Sequence, residues 1–229
     1  MARRKTNGTP RDPDTRERIL EAADRLFGEL GFDATATRLI AERCGVNKAL
    51  IHYHFGNKQR LFDAVLDRYY ERLGEALRPL LAEGMPLRER LMTLIDGYMD
   101  FLTEHQRFSR MVQREIAGGR HLERIREHML PLFQAGSMVL SSTYPHAAAG
   151  DLAAPHLLIS FYGMIVSYFT YSPIVEGLLL EDPLSAERLN QRKAHLRRMA
   201  ELAIAQLEAD AHSHDHDHDH ETNHPRGED

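Results

Sequence analysis

Cations and aromatics crowd into one short stretch of this chain. Arg38, Lys48, His52, Tyr53 and His54 all fall within TRLIAERCGVNKALIHYHF, from Thr37 to Phe55. Without a partner such a face would suffer desolvation and like-charge repulsion. Against a duplex it makes sense: lysine and the amides at a helix N-terminus meet phosphates, and small residues let the helix approach base edges. A second cluster lies near the other end, where His212, His214, His216, His218, His220 and His224 interleave with Asp215, Asp217 and Asp219. Imidazoles spaced in this way chelate nickel, copper or zinc, and the carboxylates add charge. The plainer reading is a soluble, disordered tail that takes up divalent metal adventitiously. Elsewhere a P-loop, a dinucleotide glycine fingerprint, a G-x-S-x-G elbow and H-E-x-x-H are all absent, so neither an enzyme nor a required cofactor is expected.

Charge sorts along the chain in the same way. Of 229 residues, 29 are Lys or Arg and 34 Asp or Glu, a net of −5 that on its face argues against a nucleic-acid partner. Residues 1–60, however, hold 12 basic and 8 acidic residues, whereas residues 208–229 hold 1 and 8. A basic head and an acidic tail hint at a nucleic-acid contact that the total conceals. Cys44 stands alone, which excludes an intrachain disulfide framework and a multi-cysteine zinc site. It reads as apolar filling in a reducing cytoplasm rather than as a redox sensor. From His128 to Val175 the only formally charged residue is Asp151. Leu152–Tyr171 has the length of a membrane span, but it contains Pro155, His156 and Gly163 and lacks flanking Lys or Arg. A helix buried in a subunit interface is expected there, with no membrane partner.

The elements that position these groups all read as helical; no strand-like alternation of any length appears. Residues 1–12 are expected to form a flexible basic arm. Asp14, with Glu17 three residues on, could cap a first helix whose apolar positions are Ile19, Ala22, Ala23, Leu26, Phe27 and Leu30, with Gly31 ending it. Two short helices follow, about 37–43 and from Asn47 to His54 or Phe55, joined at Gly45, where a positive φ is expected. Leu39, Ile40, Cys44, Val46, Leu50 or Ile51, and Phe55 would clasp the pair, which has the length and turn chemistry of a helix-turn-helix. A long helix then begins near Asn57 and ends near Pro79. Further helices are expected at about 86–104, 107–117, 121–143, 152–171 and 185–210, with a break at Ser172–Pro173. The expectation is an all-α chain of about nine helices. It divides into the arm 1–12, a three-helix head 13–57, a helical body 58–211, for which the resemblance described next implies effector binding and dimerisation as it implies DNA binding for the head, and the tail 212–229.

Beyond spacing, the run T-R-x-I-A-x-x-x-G-V-N-K-A-L-I-H-Y-H-F-x-N-K-x-x-L-F from Thr37 to Phe62 resembles the DNA-binding domain of the tetracycline-repressor (TetR) family. Leu26, Phe27, Gly31, Phe32, Ala34 and Thr35 in the preceding segment match it too, so the resemblance covers about residues 15–66. It implies phosphate contacts from Thr37, His54 and Lys58, and packing of Tyr53 on the sugar-phosphate backbone. Arg38, Lys48 and Ala49 stand where members of the family most often reach base edges, and a guanidinium bridging guanine O6 and N7 makes Arg38 the leading candidate for direct readout. Leu50 departs from the family's small polar residue; an apolar contact with a thymine methyl or a core role would suit it. His52 departs from the usual Tyr, keeping a donor but becoming titratable.

The resemblance further implies a homodimer on a near-palindromic double-stranded operator, most simply a repressor released by a small, hydrophobic effector. The alternative is a metal-responsive protein acting through the tail, with His212, His214, His216, His218 and His220 as ligands. Phe101, Phe108, Met111, Met129, Phe133, Tyr162 and Ile165 are candidates for an effector pocket, against ordinary core packing. Arg107, Arg110 and Arg114 form a basic stripe that could meet an anionic ligand such as an acyl thioester, or be a solvated face paired with Glu104 and Glu115. Leu157, Leu158, Phe161, Ile165 and Phe169, with Leu189, Leu196, Met199, Leu202 and Leu207, would supply the dimer face.

Overall fold

A computed structural model describes residues 13–78 and 84–221, with side chains from residue 14 to residue 210. The helices run in order α1 (Pro13–Leu30), α2 (Thr37–Cys44), α3 (Lys48–Phe55), α4 (Lys58–Leu77), α5 (Leu87–Glu104), α6 (Gln106–Gly118), α7 (Leu122–Thr143), α8 (Ala154–Thr170), α9 (Ser172–Leu179) and α10 (Ala186–Glu221). A 3₁₀ turn, Pro145–Ala148, precedes α8, and no strand occurs among the described residues. These residues form two compact units, 13–76 with 101–127 and 77–100 with 128–221. Most of α4 and all of α6 belong to the first of these units, together with α1, α2 and α3.

In the first unit, Pro13 opens α1, at a position where its missing N–H is harmless. Asp14 therefore lies inside the first turn, 3.7 Å from Arg18, and is not the cap expected of it. Ile19, Ala23, Leu26 and Phe27 are buried along one face, while Leu30 is exposed. Phe27, Phe32 and Phe62 meet at ring separations of 5.9, 5.0 and 5.3 Å, joining α1, the loop after it and α4. Leu39, expected in the clasp, is exposed; Ile40 and Ala41 take the inward positions of α2.

Gly45 ends α2 at φ 70°, and in that left-handed corner Val46 N–H donates to Ala41 C=O at 3.0 Å. A Cβ at Gly45 would meet nothing nearer than Arg18 Nη2 at 3.9 Å, so only backbone strain opposes a side chain. Gly45→Ala is therefore expected to lower stability by about 1–2 kcal/mol, read as a shift in the urea unfolding midpoint with an unchanged slope.

In the second unit, Leu140, Ala147, Ala154 and Leu207 form a buried cluster on which Leu87, Leu91, Leu157 and Leu158 pack. Two expectations are corrected. After the break at Ser172–Pro173 a helix follows that was not expected: proline within the first turn starts α9, with Tyr171 as its cap. And α10 does not stop at residue 210 but continues to Glu221, for no glycine or proline interrupts the sequence before Pro225. The apolar face assigned to dimerisation also divides. Ile165, Phe169, Leu189, Leu196 and Leu207 are buried within the unit, leaving Met199 and Leu202 exposed together with Ile159, Ile174 and Leu178. No single helix among the described residues is long and apolar enough to cross a membrane; α8 and α9 reach that composition only as a pair bent by 79°.

Candidate nucleic-acid interface

Eight residues make α3, and helical periodicity divides them cleanly. Ile51 and Phe55, four apart, are buried. Lys48 and His52, and Ala49 and Tyr53, likewise four apart, are exposed on the opposite side. Asn47 fixes where the helix starts: its side-chain oxygen accepts from Ala49 N–H at 2.9 Å. Asn57 does the same for α4, accepting from Arg60 N–H at 2.8 Å. The exposed face thus presents two cations or potential cations, an aromatic ring and a methyl group, with no bulky branched side chain to hold a duplex away.

Each expected contact residue has a definite environment. Arg38 is exposed on α2 and donates through Nε to Glu42 at 2.8 Å, an exposed i,i+4 pair weak enough to be exchanged for a base edge. Tyr53 is 63% exposed and stands edge-on to His54, ring centroids 5.1 Å apart. His54 itself is half-buried, with Nε2 buried and lacking a hydrogen-bond partner in the protein. His52 Nδ1 lies 2.7 Å from the Gly56 carbonyl, so that nitrogen must carry its hydrogen and Nε2 is left for an outside partner. Leu50 and Thr37 are half-buried, at the edge of the face rather than its centre.

Lys58 differs most from the simple expectation. Its ammonium donates to Phe32 C=O at 3.0 Å and approaches Asp33 C=O at 3.5 Å, lying 4.2 Å from the centre of the Phe32 ring. It ties α4 to the loop after α1, leaving one N–H for a phosphate. Arg16 was not singled out from the sequence. Its guanidinium lies 5.2 Å from the centre of the Phe55 ring, adding a cation beside the end of α3. The two residues are far apart in the chain and share no local pattern that could have paired them. Arg18 Nη2 donates to Cys44 C=O at 2.7 Å, and burial pushes the Cys44 thiol upward, as suits a packing role.

The other candidate groups fall in separate units. Phe101, Phe108 and Met111 are buried in the first, where Phe108 stacks on Tyr69 at 4.8 Å. Ile165 is buried in the second, and there Phe133 meets Tyr162 edge-on at 5.5 Å, with Met129 half-buried. An open hollow of about 360 Å³ in that unit is lined instead by Tyr168, Tyr171, Val175, Leu178, Leu179 and Arg192. The arginine stripe of α6 turns partly to α1: Arg107 lies 3.8 Å from Asp24, and Arg114 reaches Phe27 C=O at 3.5 Å. The side chains of His212, His214, His216, His218 and His220 lie outside the described residues. Among those described, no three His, Cys, Asp or Glu side chains gather as metal ligands would.

Residues 19–65 match the domain described as "Bacterial regulatory proteins, tetR family". The transcriptional activator FasR of Mycolicibacterium smegmatis is 32% identical over 109 residues, covering 48% of this chain and 49% of that protein. The chain spans about half the length of the curated relatives it matches. Among solved structures, AibR in complex with isovaleryl coenzyme A and operator DNA superposes with a TM-score of 0.65 at 18% identity, over 81% of this chain and 97% of that one. The fatty acid degradation regulator FadR of Bacillus halodurans does so at 0.62 and 16% identity, over 82% and 96%. At these identities the likeness is one of fold.

Proposed function

We propose that the chain, whose residues 19–65 match the domain of the bacterial regulatory proteins of the tetR family, is a homodimeric transcriptional repressor released from its operator by a small hydrophobic effector. The observation that carries the reading is the division of α3 into a buried Ile51–Phe55 side and an exposed Lys48–Ala49–His52–Tyr53 side. Two such heads related by a two-fold axis would read successive major grooves, so the operator is nearly palindromic. Lys48, which the resemblance set among the base-edge residues, is the first residue of α3 and is assigned here to a phosphate instead; Tyr53, His54, Thr37 and the remaining Lys58 proton hold phosphates too, and His52 adds its free Nε2. Arg38 and Ala49 reach base edges, with Leu50 at the margin.

The exposed apolar residues of α8, α9 and α10 support the dimer, since Ile159, Ile174, Leu178, Met199 and Leu202 gain by being covered. For the effector, Met129, Phe133 and Tyr162 are the half-buried members of the candidate set and so the ones a ligand meets first. Their apolar character favours an acyl compound, the class that the isovaleryl coenzyme A complex exemplifies in a protein of this fold. Phe101, Phe108, Met111 and Ile165 serve as core.

Titration against the upstream region of its own gene at several salt concentrations tests the reading. A steep salt dependence and a preference over random DNA are expected, and absence of both would refute it. Within that assay, Arg38→Ala is expected to lose about 1–3 kcal/mol and to relax preference at one base position. A uniform loss on all sequences would make Arg38 a phosphate contact instead.

A further inference from the structure

Eight residues make α9, and none of them is buried. Val175, Leu178 and Leu179 stand at i, i+3 and i+4, the spacing of an inward apolar stripe, yet what they line is the open hollow of about 360 Å³. Tyr168 of α8 and Arg192 of α10 line it too. Arg192 is half-buried and has no acid to balance it. Its Nη2 donates to Met164 C=O at 2.6 Å, its Nε is buried with no partner in the protein, and no carboxylate among the described residues pairs with it. Burial pulls this guanidinium downward from the usual arginine range. The other arginine of the hollow, Arg188, is already engaged, by Glu181 at 2.7 Å and by Gln191 Oε1 at 2.7 Å. Buried Tyr168 holds Arg192 in place. The Tyr168 hydroxyl donates to Pro183 C=O at 2.8 Å, and the guanidinium carbon lies 5.2 Å from the centre of its ring.

A half-buried cation without a counter-charge is costly, and the planar fork of a guanidinium matches a carboxylate. We propose that the hollow among α8, α9 and α10 is a binding site for a medium-chain monocarboxylate, with its head on Arg192 and its alkyl chain along Val175, Leu178 and Leu179. At about 30 Å³ for each water-sized group, the hollow admits on the order of ten non-hydrogen atoms, the size of octanoate. One unengaged guanidinium matches one negative charge. A neutral alcohol of the same length fills the apolar part but leaves Arg192 unpaired, so the site selects the acid. None of the residues offered above to the effector lines this hollow, and all of its lining falls in the second unit. The site therefore stands or falls independently of the DNA-binding face and of the regulatory reading. A second copy of the chain seated on exposed Leu178 is the competing occupant, and the experiment separates the two.

The chain contains no tryptophan, and Leu178 is 80% exposed, so Leu178→Trp sets a single fluorophore at the hollow. Octanoate and 1-octanol are the probes, titrated into the full-length variant. Octanoate is expected to shift the emission saturably, with half-saturation at a concentration at least about tenfold below that of the alcohol. Adding Arg192→Met is expected to raise the octanoate half-saturation by at least about tenfold and to leave the alcohol unchanged. Thermal unfolding checks that Arg192→Met folds, which is expected because it removes a half-buried charge that no acid balances. Calorimetry with octanoate on the chain without the tryptophan, with and without Arg192→Met, should show the same loss. An equal response to acid and alcohol, or one that Arg192→Met does not weaken, would leave only an apolar patch and overturn the proposal. So would the absence of any saturable response, and a dimer in light scattering would then identify the second copy as the cover.

Discussion

Asp24→Ala is expected to destabilise the first unit by about 3–5 kcal/mol, the range found when one partner of a buried charged group is removed. Asp24 lies on α1 with only a tenth of its side chain exposed. Its Oδ1 accepts the Tyr69 hydroxyl at 2.6 Å, while Oδ2 lies 3.9 Å from Arg68 and 3.8 Å from Arg107. One carboxylate therefore joins α1 to α4 and α6. Arg68, 14% exposed, is held by little else beyond Glu17 at 2.6 Å, whereas Arg107 is about half exposed and contributes less. Alanine would leave the Tyr69 hydroxyl buried without an acceptor and Arg68 without its inner partner. Burial first, and the bond to Asp24 second, push the Tyr69 phenol upward, so it stays a neutral donor through the physiological range.

At about 2–4 °C per kcal/mol for a chain of this size, the melting temperature should fall by roughly 10 °C. Asp24→Asn keeps an acceptor for the tyrosine and should cost about 1–2 kcal/mol, and Tyr69→Phe a similar amount. Thermal and urea unfolding of the three variants decides the matter. A loss below about 1 kcal/mol for Asp24→Ala would mean that water replaces the carboxylate and that the network does not hold the helices together.

How far the fold could be read from sequence follows from the range of the forces involved. The head was legible because its signals are local. Gly45 needs its positive φ, Asn47 must cap α3, and Ile51 and Phe55 recur at a helical spacing; all three expectations hold in the structure. Asp14 misled because Pro13 can itself open a helix, which leaves Asp14 inside the first turn. α9 was missed for the same reason, since proline ends one helix and begins another with equal ease, and Ser172–Pro173 does both.

Long-range pairings carried no sequence signal at all. Nothing in the chain pairs Lys58 with Phe32, Arg16 with Phe55 or Asp24 with Tyr69 before the backbone brings them together. The dimer face was overassigned because α8 is apolar nearly all round. Periodicity cannot tell the side that faces its own unit, with Ile165 and Phe169, from the side that carries Ile159. The same uniformity blurred the effector candidates, which the structure divides into filled core and half-buried positions.

The double variant Lys48→Ala/Tyr53→Ala is expected to weaken operator binding about a hundredfold while leaving the unfolding transition within about 0.5 kcal/mol of the parent. Both side chains are exposed, and neither supports the clasp of Ile40, Ile51 and Phe55, so no stability is lost with them. On DNA each head gives up a lysine–phosphate contact and the packing of an aromatic ring on the sugar-phosphate backbone. About 1.5 kcal/mol per head, counted twice for a dimer, gives the hundredfold. The salt dependence separates this from a specificity effect. Removing one phosphate-neutralising lysine from each of two heads should flatten the slope of log K against log salt by roughly two, alike on operator and random DNA. Arg38→Ala should leave the slope nearly unchanged and lose discrimination instead. If the double variant bound within about twofold of the parent, the exposed side of α3 would not be the surface that meets the duplex.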